Sequence, residues 1–133
     1  MKTRHTLAIA LLLTQVGTAY AADALLAFAG DVDQAEVSQA GYCGERKRVN
    51  PDDLARVQVE GDKQVWVFVK AVHRMGKQRS VCTVEREFTP KAGDAYIVRV
   101  SYVPKQCNAE VLQAVPSGDP RPVRSVRSER VGC

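Results

Sequence analysis

The stretch QVWVFVKAVH, Gln64 to His73, sets the tightest limit on what this chain can become. Val65, Val67 and Val69 alternate with Trp66 and Phe68, so an extended backbone carries apolar side chains on both faces. Such a strand has to be covered on each side, which places it centrally in a layered β structure. The flanking sequence continues the pattern. Ala55 to Glu60 reads as a short strand closed by Gly61-Asp62-Lys63, and Ser80 to Phe88 puts Cys82, Val84 and Phe88 on one face. Ala95 to Val103 alternates most cleanly, with Tyr96, Val98, Val100 and Tyr102 inward and Arg99 and Ser101 outward. Asn108 to Val115 supplies a further strand. Turn chemistry separates these segments about every ten residues, at Arg74–Gln78, Thr89–Asp94 and Pro116–Pro120. This is the pattern of an all-β sandwich or barrel; of the two, a small antiparallel β-sandwich, Ig-like in outline, of about six or seven strands is the expectation.

Upstream the signal is less regular. ALLAFAG can form a first strand, DVDQAEVSQA reads as a short helix or a loop, and Asn50-Pro51-Asp52-Asp53 looks like a capped helix or turn start. Val123 to Cys133 reads as a last strand or a short helix.

The first 21 residues read differently from the rest. Lys2 and Arg4 precede an uninterrupted apolar run from Leu7 to Leu13, and Ala19-Tyr20-Ala21 gives the small-x-small pattern read by signal peptidase. A cleaved signal peptide over 1–21 is expected, followed by one sandwich domain over 22–133. The apolar run is too short to span a membrane, which takes about 20 residues, because Thr14, Gln15 and Thr18 follow it. The mature chain is therefore expected to be periplasmic or secreted and not membrane-spanning.

Export decides how the four cysteines are read. Cys43, Cys82, Cys107 and Cys133 all lie in the mature part, and in an oxidising compartment they imply two disulfides with three possible connectivities. Zinc ligands come in close pairs, and no such pair is present, nor is a C-x-x-C redox motif. Cys82 lies early in one strand and Cys107 at the start of another, with the Tyr96 strand between them in sequence. The expected pairing is Cys82–Cys107, which leaves Cys43–Cys133 to tie the N-terminal segment to the last residue. In a domain with few aromatics, each closed loop adds about 3–4 kcal/mol.

Charge is unevenly placed. The whole chain carries +4, but loss of Lys2 and Arg4 leaves 17 basic against 15 acidic residues. From Arg121 onward four arginines, Arg121, Arg124, Arg127 and Arg130, face one glutamate, while residues 22–120 are nearly neutral. The ladder is either a basic arm for an anionic partner or a tethered terminal segment whose arginines face water. In a strand, residues three apart fall on opposite faces, so the spacing makes no single stripe. A nucleic-acid surface would need basic residues across a whole face with stacking aromatics, and that pattern is missing.

Catalytic and metal-binding signatures are equally sparse. His73 is the one histidine of the mature part, too few for a histidine metal site, and no nucleophile motif accompanies it. Asp31, Asp33 and Glu36 lack the glycine and distant glutamate of a calcium loop. Glu85 and Glu87 read as a solvated stripe facing Arg99. No catalytic residue, metal ligand or cofactor is expected.

The stretches VQVEGDKQVWVFV, the cysteine followed by FTPKAGDAYIVRV, and C-x-A-E-V ahead of a terminal cysteine resemble small exported proteobacterial proteins. Those have compact β-sandwich folds similar to PEGA-type and carboxypeptidase-regulatory-like modules. The resemblance covers Leu54 to Leu112 and implies fold and export, with no activity. Two functions follow as expectations. One is a non-enzymatic binding or accessory protein of the bacterial cell envelope, contacting another envelope protein or a glycan. The other is a small periplasmic inhibitor or immunity protein that blocks a hydrolase or toxin. The first would use a sheet edge or a loop cluster; the candidate plug for the second is the loop Arg74 to Ser80, with Arg74, Met75, Lys77 and Arg79 as its candidate binding residues. Oligomeric state is left open.

Overall fold

The computed structural model describes residues 22–103, 106–126 and 133. Among the described residues it is an all-β structure of two sheets, with helical content confined to one 3-10 turn. The strands are β1 (Asp23–Gly30), β2 (Val32–Ser38), β3 (Lys47–Arg48), β4 (Val57–Glu60), β5 (Val65–Met75), β6 (Gln78–Phe88), β7 (Ala95–Val103), β8 (Gln106–Gln113) and β9 (Arg121–Pro122). One sheet has the order β4-β1-β7-β8-β9 and the other β3-β2-β5-β6. Alternate residues of β1, β5, β7 and β8 meet between them, with Leu26, Val65, Val67, Val98, Val100 and Val111 almost wholly buried. Each such aliphatic side chain contributes about 1.5–3 kcal/mol of burial.

The sheet is not purely antiparallel, contrary to expectation. β1 runs antiparallel to β4 but parallel to β7, from Leu25↔Ala95 to Gly30↔Val100. A parallel pair needs a long crossover, and here the whole second sheet lies between the two strands in sequence. The corner where the chain leaves β1 requires Gly30: its φ is +94°, and a Cβ there would overlap the Val100 carbonyl oxygen. Asp31 completes the corner by donating its N–H to that carbonyl and accepting the Tyr102 N–H on its carboxylate. The acidic cluster weighed for calcium is thus split, with Asp31 spent on the backbone of β7.

DVDQAEVSQA is a strand, not a helix or loop. A bulge between Val32 and Gln34 shifts its register against β5, so Val32 faces Ala71 and Ala35 faces Val69. Two residues three apart thereby share the inner face, which mimics helical spacing. Asn50 does cap the following turn, Pro51–Asp53, its side chain accepting the Asp52 N–H.

β5 is covered on both faces. Its inner face packs into the core; its outer face is covered by the loop after β2. The Arg46 guanidinium lies 3.6 Å over the Phe68 ring, and Tyr42 stacks obliquely at 5.5 Å. The Tyr42 hydroxyl donates to Glu85 Oε1 at 3.1 Å, which pushes its pKa above the usual tyrosine range. Glu85 is therefore no free stripe residue; Glu87 accepts from Gln64, and Arg99 pairs with Glu110 on β8 instead.

The disulfides are Cys43–Cys133 and Cys82–Cys107. The first anchors the covering loop to the terminal residue. The second links the open side of the two sheets, between β6 and β8.

Candidate functional site

The β5–β6 hairpin outruns its sheet. β2 stops pairing with β5 at Ala71, yet β5 and β6 continue as a two-stranded ribbon through Val72↔Val81, His73↔Ser80, Arg74↔Arg79 and Met75↔Gln78. Four residue pairs extend the ribbon by about 13 Å. The expected loop from Arg74 to Gln78 is therefore mostly strand: only Gly76 and Lys77 lie outside the ladder. Gly76 has φ +60°, the first central position of a two-residue turn whose twist matches the strands it joins.

A ribbon this short is marginal alone, and its base is held in three ways. Cys82, paired in register with Ala71, is bonded to Cys107 at the start of β8. The His73 ring stacks on Tyr102 of β7 at 4.8 Å and nearly parallel, at 5°. Further down, inward-facing Arg86 donates from Nε to the Ala109 carbonyl and from Nη2 to Asn108 Oδ1. Base fixed, tip free.

The tip holds the residues singled out in the sequence. Arg74 and Arg79 sit directly opposite each other, both exposed, with exposed Lys77 between them in the turn. None of the three side chains has a hydrogen-bond or ion-pair partner among the described residues. Met75 is 68 % exposed, on the face of the ribbon opposite the two arginines, and Val81 is 47 % exposed on theirs. The structure thus gathers Arg74, Met75, Lys77 and Arg79 at the end of one projecting ribbon.

β9 pairs with the end of β8, Val123 donates its N–H to the Val111 carbonyl, and Val126 exchanges two backbone hydrogen bonds with Glu87 on β6. This strap crosses from one sheet to the other and closes the side of the sandwich. Arg121 and Arg124 are exposed on it. Arg127 and Arg130 lie outside the described residues, so their placement bears on neither reading of the ladder.

A cleft of about 740 Å³ lies beneath the strap, lined by Arg99, Glu110, Leu112, Pro122 and Arg124 among others. Two of its charges, Arg99 and Glu110, pair with each other at 2.5 Å. Among the described residues no three His, Cys, Asp or Glu side chains gather as metal ligands, and no helix is long and apolar enough to cross a membrane.

Arg86 was absent from the sequence-level candidates although its parity marks it: it shares a face with Cys82, Val84 and Phe88. Comparison with protein-family models, curated proteins and solved structures finds no match in any of the three.

Proposed function

We infer that this chain is an exported, non-enzymatic binding or accessory protein of the bacterial cell envelope, and that the β5–β6 arm is its contact element. One observation carries the reading: three cations without partners among the described residues, held at the end of a ribbon whose base is pinned by Cys82–Cys107 and the His73–Tyr102 stack. Exposed like charges at such a tip cost stability and gain it back only against an anionic partner. The export half of the reading rests on the leader pattern of residues 1–21 and on two disulfides, which belong to oxidising compartments.

The test is co-sedimentation of the purified, oxidised protein with isolated bacterial envelopes at about 50 mM and about 500 mM NaCl, conditions that bracket strong and weak screening. Wild type sediments at low salt and is released at high salt. The triple variant R74Q/K77Q/R79Q stays in the supernatant at both, while R121Q/R124Q behaves as wild type. Sedimentation of the triple variant at wild-type levels refutes the reading.

The exposed Met75 favours a second reading, an inhibitor or immunity protein whose arm enters the cleft of a hydrolase or toxin. It requires stoichiometric recovery of one enzyme from periplasm, weakened by R74A or K77A, and fails if none is recovered.

A further inference from the structure

An antiparallel strand points the N–H and C=O of alternate residues to alternate sides. On β6, the Glu87 N–H and C=O face away from β5, since both bond to Val126. By parity the same holds for Glu85, Thr83, Val81 and Arg79. The Glu85 carbonyl is taken by the Arg86 side chain. The backbone groups of Arg79, Val81 and Thr83 have no partner among the described residues, and all three side chains are exposed.

The other sheet edges are closed or short. Gln39 caps the β4 edge, accepting the Glu60 N–H and donating to the Glu60 carbonyl. β3 and β9 are two residues each, and β8 is met by Arg86 and the strap. Edges are commonly blunted by proline, bulges or covering segments. Among the described residues the outer half of β6 has none of these: its eleven-residue register with β5 is unbroken.

We propose that the free edge of β6, from Arg79 to Thr83, receives an extended acidic segment of a partner protein as an added strand. This deepens the binding reading above and rests on it. Charge selects the occupant: acidic side chains on the outer face of the incoming strand meet Arg79 and Arg74, and apolar ones on its inner face extend the layer over Cys82–Cys107. A second copy of the chain would instead bring three more cations into the same ladder.

The probe is a fluorescein-labelled peptide of about seven alternating Glu and Val residues, the length of an ordinary strand. It is compared with the same peptide N-methylated at alternate residues and with a Lys/Val peptide. Binding is read by anisotropy, and pairing by amide exchange in NMR. The Glu/Val peptide binds and protects the Arg79, Val81 and Thr83 amides, leaving Ser80 unchanged. N-methylation in the pairing register, or the Lys/Val sequence, weakens binding about tenfold or more. Val81→Pro does the same with an unchanged melting curve, because proline is tolerated where an edge N–H faces solvent. Equal binding of both N-methylated registers overturns strand addition while leaving the cationic tip as a binding element. Envelope sedimentation by the triple variant refutes that element separately. Concentration-dependent dimers with the same amides protected, without peptide, overturn the choice of occupant.

Discussion

Arg74 and Arg79 oppose each other in a pair where the outward-pointing backbone of residue 79 marks the non-hydrogen-bonded register. Side chains approach most closely in that register, so the repulsion is near its maximum for a strand. Two unit charges about 7 Å apart in water interact by about 0.6 kcal/mol. Arg79→Glu turns that repulsion into attraction, a swing of about 1 kcal/mol once the entropy of holding both side chains is deducted. For about 110 residues, 1 kcal/mol corresponds to about 4 °C in Tm. The assay is thermal melting by circular dichroism at about 20 mM and about 1 M NaCl, where the Debye length falls to about 3 Å. Arg79→Glu raises Tm by about 4 °C at low salt, the gain shrinks at high salt, and Arg79→Gln gives about half. The same substitution abolishes envelope sedimentation. More stability with less binding would mark the cation pair as kept for function. An Arg79→Glu variant melting at or below wild type at low salt refutes the reasoning.

Other perturbations probe the rest of the molecule. Gly30→Ala, which drives a Cβ into the Val100 carbonyl at φ +94°, costs about 3 kcal/mol or more by denaturant unfolding, whereas Gly118→Ala, with open space, is neutral within about 0.5 kcal/mol. Replacing Cys82 and Cys107 by alanine opens a loop of 25 residues and costs about 3.5 kcal/mol in the chain-entropy model. Its amide exchange accelerates first in Val72 to Val81, the segment without other sheet partners. The Tyr42 hydroxyl bonded to Glu85 favours the protonated phenol, so the stability it adds is full below the pH where an unfolded tyrosine ionises, about 10. That stability is lost as pH climbs through the raised folded-state pKa. Tyr42→Phe therefore shows a shallower decline in Tm at alkaline pH; an unchanged slope counts against the bond.

Local alternation was enough to specify β4 through β8 to within a few residues, because period-2 patterning is a property of neighbours along the chain. It also showed both faces of β5 to be apolar, and therefore that something must cover Phe68. That the cover is a loop carrying Arg46 and Tyr42, and not a second sheet, was settled only by packing. The Val32–Ser38 strand was hidden for a local reason: the bulge puts Val32, Ala35 and Val37 on one face at spacings three and two, so the strand lacks the alternation that betrays its neighbours. Parallel pairing of β1 with β7 joins segments some seventy residues apart, which no window along the chain can register. The arm is the mixed case. Its cations were legible in RMGKQRS, and two-residue turn chemistry is a local matter. Whether they lie in a sheet or project beyond one depended on where β2 stops pairing and on which strand lies at the edge. Sequence determined which residues alternate, turn and carry charge; tertiary structure alone decided which edges are closed and which one, among the described residues, stays free.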